Sequence, residues 1–410
     1  MSNKTGVSTV KQESKRELKP KLRFPEFRDA GGWSIKLLGN VCENLDSKRV
    51  PITETDRIKG DIPYYGASGV IDHVKHYIFD DDLLCISEDG ANLVARTYPV
   101  AFSISGKTWV NNHAHVLKFA DGYAKVIVEN HLNSISLENF LTGMAQPKLN
   151  RAKLDVIPIP LPGAAEQQKI ADCLSSLDEL ITAHTQKLVT LKDHKKGLMQ
   201  QIFPAEGETL PKLRFPEFQD TGAWEKDELG KVADFVGERM PLEQLKLANY
   251  VSTENILPDY EGLTNASKLP SSGSVTRFTA NDILISNIRP YLKKVWFSDK
   301  DGGASNDVIV IRAKDELINL YLSFILKNDS FIDYVMKGAK GVKMPRGDIS
   351  LMREYPLAYP SDFEQQKIAD CLSSLDELIT AQTQMLETLK THKKGLMQQL
   401  FPSTEGEIQV

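Results

Sequence analysis

The chain has 410 residues, more than one hydrophobic core usually serves, so two or more domains are expected. With 41% hydrophobic and 26% charged residues it has the composition of a folded chain rather than of a disordered or collagenous one, and no run of about 18 apolar residues offers a transmembrane helix. A formal net charge of −5 does not advertise a nucleic-acid binder, so any such role has to rest on local patches.

Residues 1–19 are polar, lack an apolar stretch, and read as a disordered arm rather than a secretory leader. The motif PKLRFPEF, Pro20 to Phe27, leads into a first middle region that closes near residue 162. There YYGASGV, HVKHYIFDDDLLCISEDGANL, VAFSISGKTWV and HAHVLKF are short apolar runs broken by turn residues, which predicts strands. HLNSISLENFLTGM reads as a helix and DVIPIPLP as an extended proline segment. Cys42, Cys85, Cys173 and Cys371 show no CxxC spacing, which argues against a zinc site or disulfide framework and makes the cytoplasm the expected compartment.

Residues 163–204 predict one long helix. Ile170, Leu174, Leu177, Ile181, His184, Leu188, Leu191, Lys195, Leu198 and Ile202 follow a strict 4-3-4-3 spacing, the seam of a coiled coil. Phe203-Pro204 ends it, since proline cannot continue a helix. Residues 205–360 then repeat the plan. PKLRFPEF returns at Pro211 to Phe218, an offset of 191 that Trp33/Trp224, Gly39/Gly230 and Val41/Val232 share. RFTANDILISNI, KKVWF and NDVIVIRAK predict strands, LINLYLSFILKNDSFIDYVMKG a helical stretch, and REYPLAYP a second extended segment. Residues 361–402 predict the second long helix, with Ile368, Leu372, Leu375, Ile379, Gln382, Leu386, Leu389, Lys393, Leu396 and Leu400 on its seam and Ser361 three residues before Glu364 as a capping box. Residues 403–410 form a tail.

The two helical segments, Glu166 to Pro204 and Glu364 to Pro402, are identical at 34 of 39 positions with a constant offset of 198. The middles hardly match, although Pro158/Pro356 and Pro162/Pro360 keep that offset. Two copies held nearly identical share a structural task, whereas unlike middles have separate tasks or separate targets. A helix with one apolar seam cannot bury it alone, and its obvious partner is the other copy. The expected fold is therefore α+β: two mixed, strand-rich domains separated by two long helices paired as an antiparallel coiled coil with pseudo-two-fold symmetry.

Catalytic motifs are sparse. No GxGxxG, P-loop or GxSxG is present, nor an NPPY- or DPPY-type tetrapeptide. His113 and His115 would share one face of a strand, as a metal site needs, yet a third ligand is missing; polar strand surface is the simpler reading. Asp80-Asp81-Asp82 reads as a solvated turn before a strand rather than a Mg²⁺ site. Lys337, Lys340, Lys343 and Arg346 lie in an acid-free, glycine-containing run, matched in the first half by Lys148, Arg151 and Lys153; these suit phosphate contacts or a solvated basic loop. Ser286-Asn287-Ile288-Arg289-Pro290, followed by Lys293-Lys294, carries the side chains that read adenine and guanine bidentately.

Two unlike domains, each closing in a proline segment, EQQKI and a long helix, resemble the specificity (S) subunit of type I restriction–modification systems. IPYYGASG, ISEDGA, WVNNHAHVL and DILISNIRP look like that family's target-recognition domains, and the resemblance runs from about residue 20 to 402. It implies a non-catalytic subunit in which each domain reads one half of a bipartite, asymmetric double-stranded DNA site. It implies that the helices set the spacer and dock two methyltransferase (M) subunits, which carry S-adenosylmethionine, and that two motor-nuclease (R) subunits complete the assembly. No cofactor or metal of its own is expected. The DNA-contact candidates are Tyr64, Tyr65, Ser68, Asn111, Asn112, Lys148 and Arg151 in the first half, and Asn287, Arg289, Lys293, Lys340, Lys343 and Arg346 in the second. The competing readings are a two-lobed ligand-binding scaffold that never touches DNA, the specificity module of another restriction or methylation enzyme, and an enzyme with an unrecognised motif.

Overall fold

The structure, a computed structural model, describes residues 18–143, 146–341 and 343–402. The tail expected at 403–410 and most of the expected arm lie outside the described residues. Leu18 is already paired with Trp33, whose N–H donates to the Leu18 carbonyl at 2.7 Å, so a loose arm does not extend to residue 19. The chain divides into two compact units, residues 1–185 with 384–410, and residues 186–383.

Unit 1 contains β1 (Ser34–Leu37), β2 (Glu43–Asn44), β3 (Lys59–Gly66), β4 (Gly69–Val74), β5 (Phe79–Asp80), β6 (Leu83–Ser87), α1 (Asn92–Ala95), β7 (Ala101–Ile104), β8 (Lys107–Val110), β9 (Ala114–Lys118), α2 (Gly122–Ser134), α3 (Arg151–Asp155) and β10 (Pro158–Leu161), and the start of α4 (Ala164–Ile202). Its sheets have the orders β2-β9-β6-β7 and β4-β3-β8-β5. The central strand β6 is buried at all five positions, which is why LLCIS reads as a continuous apolar run. The proline segment is β10, antiparallel to β1 in a two-stranded sheet, where a missing proline N–H is tolerated. The helix expected around HLNSISLENFLTGM lies upstream, as α2. Asp121 caps it by accepting from the Tyr123 N–H, and Ile127 and Val128 of AKVIV lie on its buried face.

Unit 2 contains β11 (Glu225–Glu228), α5 (Leu229–Val232), β12 (Ala233–Phe235), β13 (Arg239–Pro241), β14 (Tyr250–Val251), β15 (Ser274–Phe278), β16 (Ile283–Ser286), β17 (Val295–Phe297), β18 (Gly302–Ala304), β19 (Val308–Ala313), α6 (Asn319–Leu326), α7 (Asp329–Lys337), α8 (Ile349–Arg353), β20 (Pro356–Tyr359) and the start of α9 (Asp362–Leu400). The orders β12-β19-β16-β17 and β13-β15-β18-β14 repeat the plan of unit 1, down to one parallel pairing, β14 with β18, that matches β3 with β8. They differ at an edge: unit 1 adds β4 beside β3, whereas unit 2 adds β13 beside β15. The predicted helical stretch is two helices, because the Asn328 side chain accepts from the Ser330 N–H and starts α7.

The seam positions are buried or half-buried along both long helices, including the polar His184 and Gln382. In unit 1, Ile170 and Leu174 of α4 share a core with Met397, Leu400 and Phe401 of the α9 end, and Asp178 pairs with Lys393 at 2.6 Å. In unit 2, Met199, Ile202 and Phe203 share a core with Ile368, Ala369 and Leu372, and Lys195 pairs with Asp376 at 2.5 Å. Numbers rise along one helix as they fall along the other, so the packing is antiparallel in each unit. The two ion pairs are the same pair exchanged at the offset of 198. The seam lysines therefore mark register instead of merely interrupting an apolar stripe.

EQQKI and PKLRFPEF, distant in sequence, meet in each unit. Arg23 grips Glu166 through two N–H donors at 2.8 and 2.7 Å, and its remaining donors reach the Ala30 and Gly31 carbonyls. Arg214 does the same to Glu364 at 2.7 and 2.7 Å, with the Thr221 and Gly222 carbonyls. The capping box expected at Ser361 is thus absent: the Glu364 carboxylate is taken by Arg214, and Ser361 contributes its carbonyl to the Gln365 N–H. Gln167 and Gln365 donate to the Pro162 and Pro360 carbonyls, tying each helix start to its proline strand.

Candidate nucleic-acid interface

In unit 1 the end of β6 is a meeting point of loops. Ser87 Oγ donates to the Ala67 carbonyl in the β3–β4 turn at 2.6 Å. The Glu88 N–H donates to His113 O at 2.9 Å, its carbonyl accepts from Leu149 N–H at 2.7 Å, and the Gly90 N–H reaches Pro147 O at 3.2 Å. Thr142 and Lys148 exchange backbone hydrogen bonds at 2.8 Å, closing the base of a loop. Ser68, Asn111, Asn112, Lys148 and Arg151, scattered over more than eighty positions, therefore lie on the segments that form one rim.

Beneath that rim is a charged network that sequence reasoning missed. Arg49 binds Glu88 at 2.6 Å and the Ala114 carbonyl at 2.8 Å. His115, 1% exposed, places Nδ1 2.6 Å from Asp46 and Nε2 2.7 Å from the Leu149 carbonyl. Each ring nitrogen therefore faces an oxygen, one of a carboxylate and one of a backbone carbonyl. Burial pulls the Asp46 and Glu88 carboxyls upward, but bonds and charge from His115 and Arg49 outweigh it and hold both below the usual carboxylate range. Asp46, Glu88 and His115 have ligand atoms within 4.8 Å of one another, yet the lone pairs a metal would use are engaged by Arg49 and by the imidazole. Nothing in the sequence groups these residues; the turn after β2 carries Asp46 and Arg49, Glu88 lies just past β6, and His115 is on β9.

Unit 2 builds the same rim on different side chains. The Asn287 N–H donates to Asp307 O at 2.8 Å, its carbonyl accepts from Gly347 N–H at 3.1 Å, and Arg289 N–H reaches Pro345 O at 2.8 Å. Lys340 and Arg346 exchange backbone bonds at 3.0 and 2.9 Å, closing the loop that matches 142–148. Strand pairing equates His115 with Ile309, and the loop bonds equate Glu88 with Asn287, so the buried charge of unit 1 has no counterpart here.

The contact candidates separate accordingly. Tyr64, Asn111 and Asn287 are corrected: all three are buried. Tyr64 lies under the Arg57 guanidinium with its hydroxyl accepting from Ile52 N–H, Asn111 accepts from His113 N–H, and Asn287 packs beneath Gly347. Tyr65 is half-buried and stacked on Phe102. Lys148 pairs with Glu88, Arg151 with Asp155, Lys293 with Asp329, Lys340 with Asp348 and Arg346 with Asp307. Ser68, Asn112, Arg289 and Lys343 are exposed, and among the described residues their side chains have no ion-pair or hydrogen-bond partner. His113 is exposed and paired with Asp89, while Asp81 and Asp82 bind Lys118 and Lys125, so two of the three carboxylates of that acidic run are paired with lysines.

Comparison with known proteins points to one group. The family model described as "Type I restriction modification DNA specificity domain" matches residues 31–193 and again 222–391. A protein of Haemophilus influenzae named as a type I restriction enzyme specificity subunit is 26% identical over 86% of this chain and 89% of its own length. The Escherichia coli type I restriction enzyme EcoDI specificity subunit is 21% identical over 82% of this chain and 79% of its own. The crystal structure of the type I restriction–modification S subunit from M. genitalium superposes with a TM-score of 0.63 at 16% identity, covering 94% of this chain and all of that one.

Proposed function

Because the chain belongs to the type I restriction–modification DNA specificity family, with one family domain in each half, we propose that it is the DNA sequence-recognition subunit of such a complex and that each rim reads one half of a bipartite target. The observation that carries this is the pair of rims: one backbone plan, held by matching hydrogen bonds at Glu88/Asn287 and Gly90/Arg289, with different side chains displayed on it. A constant frame with variable contents is what two different DNA half-sites require. The near-identical helices serve both halves alike, as a spacer and as docking sites for two methyltransferase subunits that bring S-adenosylmethionine. Two motor-nuclease subunits complete the cytoplasmic assembly, and this subunit itself performs no chemistry. Paired cations on the rims leave much of the phosphate attraction, which dominates DNA affinity, to those partners.

The test is co-expression with the cognate methyltransferase followed by genome-wide mapping of methylated bases. A bipartite, asymmetric motif with a fixed spacer is expected. Exchange of residues 34–160 for another domain of this family should then change one half of the motif only. A continuous or palindromic motif, or a change in both halves, would overturn the reading.

A further inference from the structure

Arg289 and Gly90 occupy the same place in their rims. Each follows the central strand, each donates its N–H to the proline of the neighbouring loop, and each has left-handed backbone, φ 58° and 108°. Unit 1 uses glycine there, the residue for which that conformation is free, and a Cβ built on Gly90 meets nothing within 4 Å. Unit 2 carries an arginine despite the steric penalty of a left-handed L-residue. The arginine side chain gains no hydrogen bond or ion pair within the protein in return: Arg289 is exposed and its guanidinium has no such partner among the described residues, whereas Lys293, Lys340 and Arg346 around it are each matched by an aspartate. Its cationic neighbour Lys294 bonds only a carbonyl, Thr253 O at 2.7 Å. At the non-glycine left-handed position among the described residues of unit 1, Arg96 turns inward onto the Leu132 and Ile135 carbonyls.

Resting on the function proposed above, we infer that Arg289 is a specificity-determining residue, its planar fork reading one guanine of the half-site assigned to unit 2, and that unit 1 has no cationic reader at the equivalent position. Guanine follows from chemistry: N7 and O6 in the major groove are two acceptors matched to a guanidinium's parallel donors. Lysine can also reach this edge, but only the guanidinium presents two parallel donors in a fixed plane, so exchange for lysine tests the fork itself.

The experiment maps methylation by the co-expressed methyltransferase complex containing wild type, Arg289→Lys or Arg289→Gly. The half-site of unit 2 is identified by exchanging residues 225–360. That half should contain a G·C pair at which both variants lose roughly 10- to 100-fold discrimination, with every other position retained. Arg289→Gly should leave the thermal midpoint unchanged or raised, since glycine relieves the strained φ, which separates lost reading from misfolding. An unchanged motif in Arg289→Lys, or a uniform loss of activity at all positions in Arg289→Gly, would overturn the inference. Absence of any bipartite motif in the wild-type map would instead overturn the function on which it rests.

Discussion

Replacing Arg214 with methionine should cost about 3–5 kcal/mol of stability in unit 2, the penalty for removing one partner of a buried ion pair. The magnitude follows from what stays behind. Arg214 is 9% exposed and Glu364 1%, the two share a bidentate contact, and Arg214 also satisfies the Thr221 and Gly222 carbonyls. Methionine fills much of the volume but leaves a carboxylate with no counter-charge and no access to water. The double variant Arg214→Met with Glu364→Gln should be less damaged than Arg214→Met alone, because the amide carries no charge. Arg23→Met should behave alike in unit 1, where Arg23 and Glu166 are 8% and 3% exposed. Hydrogen exchange resolved by mass spectrometry reads the two units separately. A loss of about 4 kcal/mol accelerates exchange through opening of the helix start roughly 1,000-fold. An Arg214→Met loss below about 1 kcal/mol, or one confined to the lead-in motif with the start of α9 unaffected, would refute the idea that this pair joins the two repeats.

Three further outcomes are expected. His131 is 1% exposed, its Nδ1 has no partner among the described residues, and burial pushes it down to about 4, so the folded state holds it neutral. Its stabilising contribution is complete above about pH 6.5 and is lost as pH falls toward 4, at most about 3 kcal/mol; His131→Leu should flatten that part of the pH–stability curve, and an unaltered curve would contradict it. Lys343→Ala should weaken DNA binding by the assembled complex about equally across sequences and lower the salt slope by about one, while Lys340→Ala, already paired with Asp348, does less; equal effects would remove the distinction between free and paired lysines. Inserting four residues after Leu191 adds about 6 Å of helix, which should lengthen the mapped spacer by roughly one or two base pairs with both half-sites retained, and an unchanged spacer at full activity would show that the helices do not set it.

Much of the architecture was legible because it is local and periodic. The 4-3-4-3 spacing, from Ile170 to Ile202 and from Ile368 to Leu400, covers most of α4 and α9, and alternation with turn residues located most strands. The start of α2, residues 122–130, was missed because AKVIV is rich in β-branched residues; the Asp121 cap and packing of Ile127, Val128 and Leu132 into the core of unit 1 override that local preference. Candidate readers were legible only as residue types. Tyr64, Asn111 and Asn287 have the right chemistry but sit inside the domains, and nothing in a one-dimensional pattern separates them from Asn112 or Arg289 on the same short stretches.

The sequence by itself determined the duplication, the two unlike middles, the antiparallel seam and the family. All of these rest on repetition, periodicity or motif, which survive projection onto a line. Only the tertiary structure decided that PKLRFPEF and EQQKI are two sides of one buried ion pair, that Asp46, Arg49, Glu88 and His115 form a network in unit 1, and that the Arg289 side chain stands unpaired among the described residues where unit 1 has glycine. Those facts depend on which groups chain folding leaves within about 3 Å of one another and which it leaves facing water. Separation in sequence, 143 residues between Arg23 and Glu166, carries no trace of either.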